Sequence, residues 1–143
     1  MGRWIGLVAA AVLWTAGGAW AATGGPDAFG YYFVDNDDPG GPAWDYDDLD
    51  VLGVDAELSD DGMAWVSIGF DFFYYGQPYD QLGFQSNGAL TFANASMSYS
   101  NYCLPHGLST QTTILAWWDD LYPPDGRALY GTFGSAPFRT FVA

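Results

Sequence analysis

Lysine is missing from this 143-residue chain, and Arg, His and Cys number only three, one and one. Without clustered Lys and Arg nothing can neutralise a run of phosphates, so nucleic acid is excluded as a partner. The same shortage argues against docking on anionic membrane. A single Cys builds neither a disulfide framework nor a cysteine zinc site. No Gly-rich phosphate loop, G-x-S-x-G or H-E-x-x-H is present. What the chain does have is acid and rings: 17 Asp and Glu, a formal charge of -14, 50% hydrophobic residues and 19% aromatic ones. That apolar content excludes a disordered acidic tail, and the length allows one domain with at most a tail.

The first residues read as an export signal. Met1-Gly2-Arg3 is a short positive start, residues 4–14 are an apolar run, and Ala19-Trp20-Ala21 is a small-x-small cleavage pattern. A membrane anchor over residues 4–22 is the competing reading, but Gly17-Gly18 and the Ala-x-Ala ending favour cleavage after Ala21. The product is then secreted or held at the cell surface, with no stable membrane span. Once residues 1–21 are removed, only Arg127 and Arg139 face all 17 acids, a net of -15. Twelve of the 17 lie between Asp27 and Asp61, a block that repels itself unless solvent, salt or a cation relieves it.

Beyond residue 22 no stretch sustains helical periodicity. Short alternating or aromatic runs recur between Gly, Pro, Asn and Asp clusters instead. Strands are expected at 29–34, 51–58, 63–74, 81–85, 89–93, 113–118, 128–133 and 138–142. In the third, Ala64, Val66, Ile68, Phe70 and Phe72 line one face and Trp65 and Phe73 the other, which reads as a central strand covered on both sides. At Ser86-Asn87-Gly88 the register decides the turn. A two-residue loop would put Leu82 and Phe84 on the face opposite Leu90 and Phe92. A three-residue loop unites all four, pairs Phe84 with Leu90, and wants a positive φ that Gly88 supplies. The whole reads as an all-β, antiparallel β-sandwich or jelly roll behind a helical signal peptide. Its divisions are a signal at 1–21, an acidic lead-in with the first strands at 22–62, and the sandwich core at 63–143. The run Phe138-Arg139-Thr140-Phe141-Val142-Ala143 stops mid-alternation, so a fragment lacking its last strands is expected.

Several runs resemble one family. Phe70-Asp71-Phe72-Phe73-Tyr74-Tyr75-Gly76-Gln77-Pro78-Tyr79 resembles the F-x-F-x-F-Y-G-x-x-Y signature of a secreted bacterial β-sandwich domain. Ser86-Asn87-Gly88-Ala89-Leu90-Thr91-Phe92 resembles its S-N-G-x-L-x-F hairpin, and Cys103-Leu104-Pro105 its C-L-P loop. Trp118-Asp119-Asp120-Leu121 resembles W-D-D-L, and the stretch from Tyr130 to Val142 resembles Y-x-x-x-G-x-A-P-x-R-x-F-V. Such domains occur in large exported proteins of the myxobacterial type and are loosely similar to nidogen-type extracellular domains. The resemblance implies a non-catalytic module that often accompanies proteases or surface-sorting tails. It also implies a further Trp-bearing strand after the R-x-F-V run.

The acidic lead-in is the main candidate for chemistry. Asp35-Asn36-Asp37-Asp38-Pro39-Gly40 and Asp45-Tyr46-Asp47-Asp48 set oxygen ligands at the short spacings that calcium uses. The pattern departs from the EF-hand, since position five is Pro39 and position twelve Tyr46. A calcium site drawing on Asp35, Asp37, Asp38, Asp45, Asp47 or Asp48 therefore stands beside a solvated, solubilising acidic loop. Trp117-Trp118-Asp119-Asp120 reads as one core Trp, one rim Trp and turn-capping carboxylates, or else as part of a cation- or sugar-binding rim. Cys103 and His106 could form a nucleophile pair, but no oxyanion hole is announced, so no enzyme is read here. Cys103 is expected either buried or paired with a Cys beyond this chain. An extracellular protein or glycan is the expected ligand class. The runner-up function is an accessory domain of a secreted hydrolase. Calcium at 100 times its dissociation constant should raise stability by about 2.7 kcal/mol. Thermal melts with calcium and with chelator check this, and coincident curves remove the calcium site.

Overall fold

The computed structural model describes residues 23–104 and 112–143. The export signal read at 1–21 and the proposed nucleophile partner His106 lie outside these residues. Among the described residues every strand pairing is antiparallel, the one helical element is a 3-10 turn (Pro123–Asp125), and no helix is long and apolar enough to cross a membrane. The all-β, antiparallel class expected from the sequence is what forms. The chain divides into two compact units between Asp45 and Tyr46.

In the first unit β1 (Thr23–Gly24) pairs with β2 (Phe33–Val34). The strand expected over 29–34 shrinks to its last two residues for a local reason. Asp27 Oδ1 accepts the backbone N–H groups of Phe29, Gly30 and Tyr31 at 2.9, 2.8 and 2.9 Å. A short acidic side chain has offered the backbone a turn in place of a ladder.

The second unit holds β3 (Val54–Asp55), β4 (Met63–Tyr74), β5 (Gln77–Gln85), β6 (Ala89–Thr91), β7 (Thr113–Leu115), β8 (Leu129–Ser135) and β9 (Phe138–Val142). They form one sheet in the order β4-β5-β6-β7 and another in the order β3-β8-β9. Residues 46–62, grouped by sequence with the lead-in, sit in this unit, since β3 pairs with β8. Alternation along β4 puts Val66 and Ile68 into a core with Leu82 and Phe92, and Tyr130 and Phe141 from β8 and β9 pack against it. Burying each of these aliphatic side chains contributes about 1.5–3 kcal/mol.

The other face of β4 corrects the sequence reading. β4 lies at the end of its sheet, with Trp65 47% and Phe73 63% exposed. Ser67, Gly69 and Asp71 alternate with those two rings, so the face offers no continuous apolar surface for a second cover. β5 also runs longer than expected, because Tyr75-Gly76 closes a two-residue hairpin with Tyr74 opposite Gln77. Both loop residues are left-handed, at φ 48° and 74°, the combination that matches strand twist. Pro78 is tolerated within β5 because β6 pairs only with Gly83 and Phe84, leaving no ladder partner on Pro78's outer side.

Two glycine positions fix how the pieces join. At Gly69 (φ 81°) the β4–β5 register shifts between Ser67 and Phe72. The carbonyls turned out there are met from the second sheet: Thr132 Oγ1 donates to Ile68 O at 2.7 Å and Arg139 Nη1 to Gly69 O at 3.1 Å. At the β5–β6 turn the expected three-residue loop forms, with Phe84 opposite Leu90 and Gly88 at φ 70°. The Trp117 N–H donates to Gly88 O at 3.1 Å, and a Cβ on Gly88 would overlap the Trp117 carbonyl oxygen. Gly88→Ala should therefore cost more than the about 1–3 kcal/mol of a left-handed non-glycine residue alone. Urea unfolding measures it, and a midpoint equal to the parent's contradicts this packing.

Candidate functional site

The acidic residues are the leading site candidates, and two of the six, Asp35 and Asp48, each give an oxygen to backbone N–H groups. Asp35 Oδ1 accepts from Asp37 N at 3.1 Å and Asp38 N at 3.0 Å. Thr23 Oγ1 donates to Asp38 Oδ2. In the second unit Asp48 Oδ1 accepts from Asp50 N at 2.8 Å. Asp37, Asp45, Asp47 and Asp48 are exposed, and Asp35 and Asp38 are half-buried. Asp35, Asp37, Asp38 and Asp45 belong to the first unit, Asp47 and Asp48 to the second. Among the described residues no three His, Cys, Asp or Glu side chains gather as a metal-binding group.

After β7 the capping carboxylate expected from the sequence forms, but the expected core Trp does not: neither Trp117 nor Trp118 is buried. Trp117 stands 72% exposed, while Trp118 is half-buried, donates Nε1–H to Ser98 O at 2.7 Å and meets the Tyr102 ring edge-on at 6.4 Å. Asp119 Oδ1 accepts the Asp120 N–H at 2.9 Å, capping the turn. Cys103 is exposed, which removes the expectation of a buried thiol.

A polar centre missed by sequence reading lies under the β5–β6 turn. Asn87, 2% exposed, donates Nδ2–H to Asp61 Oδ1 at 2.9 Å and accepts the Leu121 N–H on Oδ1 at 3.3 Å. One amide thus ties the approach to β4, the hairpin and the loop after β7. Gln85, also 2% exposed, clamps a second loop: Nε2–H donates to Ala95 O at 3.0 Å and Oε1 accepts the Met97 N–H at 2.6 Å. Nothing local signals this, since Gln85-Ser86-Asn87 is ordinary composition for a turn that faces water.

Two of the second unit's concavities combine features a ligand could use. One, of about 390 Å³, is apolar and lies between the sheets over Phe70, Leu90, Phe92 and Ile114, with Arg139 at its rim. Arg139 lies 5.1 Å from the centroid of the Phe70 ring. The other, of about 600 Å³, is mixed. Its walls include Tyr46, Asp47, Asp50 and Arg127 over an apolar base of Leu49 and Leu129. Arg127 Nη2 sits 2.7 Å from Asp50 Oδ1, with both side chains more than half exposed, so the pair orients the two groups more than it stabilises the fold. The 3-10 turn sets Arg127 in place: Gly126 N–H closes it on Pro123 O at 2.8 Å.

Comparison with known proteins bears on this second unit. A family model described as NIDO related matches residues 45–143. No curated protein matches the chain, and no solved structure does. Asn87→Ala should lower stability by about 1–3 kcal/mol, because it removes a buried amide's hydrogen bonds to the Asp61 carboxylate and to the Leu121 N–H. Denaturant midpoints check this, with Asn101→Ala, an exposed amide, as the comparison that should change little.

Proposed function

The chain belongs to the NIDO-related family, and from that membership we propose that it works outside the cytoplasm as a non-catalytic recognition or scaffolding module. The match over residues 45–143 is the observation that carries the reading. It covers the whole second unit and the one residue before it, so the family likeness belongs to a folded body and not to a short motif. The export signal read at 1–21 supports it from the other end of the chain. So does the surface, where Tyr46, Trp65, Phe73 and Trp117 hold large rings in solvent. Exposed rings with a polar tip or edge are good contact surfaces, because they bury area at little cost in side-chain entropy. The partner in this reading is an extracellular protein or a glycan. The proposal does not depend on calcium, since no three of the candidate carboxylates converge among the described residues.

Export is tested by expressing the full chain with its own N-terminus in a bacterial host and sequencing the product. A chain found outside the cytoplasm and starting at Ala22 is the expected result. An uncleaved cytoplasmic product overturns the export reading. Cys103→Ala should leave secretion, folding and any ligand binding unchanged; loss of an activity on that substitution overturns the non-catalytic reading.

A further inference from the structure

The mixed cleft of the second unit combines an exposed ring, carboxylates, a guanidinium and an apolar base. We propose that it binds a neutral saccharide. The inference rests on the recognition reading above and assigns it a ligand class and a place.

Local structure builds the cleft from three stretches of chain. The first is 46–50, where Asp48 Oδ1 takes the Asp50 N–H and so turns the Asp50 side chain towards Arg127. The second is the 3-10 turn and Arg127, followed by Leu129, which is brought beside Leu49 because Asp55 pairs with it in the β3–β8 ladder. The Gly53 N–H closes the turn after Leu49 at 2.8 Å, and a Cβ on Gly53 would stand 3.2 Å from the Leu129 side chain. Leu49 is buried, so the base is fixed, whereas Tyr46 is 72% exposed and presents its ring from the side. The third is the end of β9, which supplies Val142.

Charge decides between ligand classes. An anion would need surplus positive charge, but Arg127 is already matched by Asp50 and outnumbered once Asp47 is counted. A cation would have to settle beside the Arg127 guanidinium. Hydroxyl groups suit the mixed set, because each donates to one atom and accepts from another. Vicinal hydroxyls can bridge the planar fork of Arg127 and the Asp50 carboxylate, which already lie 2.7 Å apart in a fixed relation. The C–H face of a pyranose stacks on an aromatic ring, the position Tyr46 fills, and the Leu49–Leu129 base takes its apolar edge. The volume of about 600 Å³ falls within the range of small-molecule sites and suits one to two sugar rings. Uncharged polymers are also the class that a chain of formal charge -14 does not repel.

The test is native affinity electrophoresis of the secreted chain through gels containing galactomannan, xyloglucan or yeast mannan. Alginate, chitosan and plain gels run alongside. Retardation by at least one neutral polymer is expected, with none in alginate. Tyr46→Ala and Asp47→Asn should each weaken that retardation about tenfold or more, whereas Tyr99→Ala, an exposed ring away from the cleft, should not. Circular dichroism of each variant shows that it is folded, and Asp47→Asn keeps the side chain's shape. Migration unaffected by every neutral polymer overturns the proposal, whether or not chitosan, a polycation that any chain this acidic attracts, retards it. Retardation that survives both cleft substitutions and is lost with Tyr99→Ala overturns the cleft while leaving the recognition reading intact. Failure of that broader reading shows separately, as an uncleaved cytoplasmic product.

Discussion

The second unit depends on one junction, where β4 stops behaving as a regular strand. Twelve residues of β4 cannot stay flat against β5 and still turn an apolar face to β8 and β9. Gly69, at φ 81°, takes up the difference by letting the register slip between Ser67 and Phe72. Two consecutive carbonyls, of Ile68 and Gly69, then leave their own sheet. A strand edge with unmet carbonyls beside a core is costly, and Thr132 and Arg139 of the second sheet meet both. The contact between sheets is thus polar at its edge and apolar at its centre, where Val66, Ile68, Leu82 and Phe92 receive Tyr130 and Phe141.

The acid excess has a second use besides solubility. Asp27, Asp35, Asp48, Asp55 and Asp119 each turn a carboxylate oxygen back onto one or more backbone N–H groups of their own loop. A carboxylate is a stronger acceptor than a neutral amide, so these loops hold their shape without apolar burial. The arrangement suits the segment from 23 to 62, where regular strands are two residues long. It also means that oxygens which look available in the sequence are already committed, at Asp35 and Asp48 above all. Close spacing of Asp along a chain is as good a signal for capped turns as for a cation cage.

Much of the fold was legible where periodicity and burial act together. β4 at 63–74 and β9 at 138–142 follow the sequence because their alternation is long, and the Ser86-Asn87-Gly88 turn follows because one register alone keeps Leu82, Phe84, Leu90 and Phe92 on one side. Legibility failed where a side chain competes with the ladder. Asp27 dissolves the start of a strand read at 29–34, and the strand read at 51–58 survives only at Val54–Asp55, beside the turn that Asp55 caps. The Tyr75-Gly76 hairpin was hidden because a tyrosine at φ 48° is rare enough to be discounted. The site was less legible than the fold. The cleft brings Tyr46–Asp50 to Arg127–Leu129 across some eighty residues of chain, a pairing made by the short β3–β8 ladder and by no local pattern.

The scarcity that opens the sequence also explains the surface. Arg127 and Arg139 are the basic side chains of the second unit's described residues, and both are spent inside it: one against Asp50, the other on the Gly69 carbonyl and over the Phe70 ring. Neither projects a free positive charge towards a partner. The net field is therefore acidic, and it falls away within about 8–10 Å at physiological salt. Out to that distance the field disfavours polyanions. At contact, rings and hydroxyl-sized hydrogen bonds are what the surface offers. The proposed saccharide cleft fits that division of labour, since its ring, Tyr46, lines the same hollow as the internally balanced pair of Asp50 and Arg127.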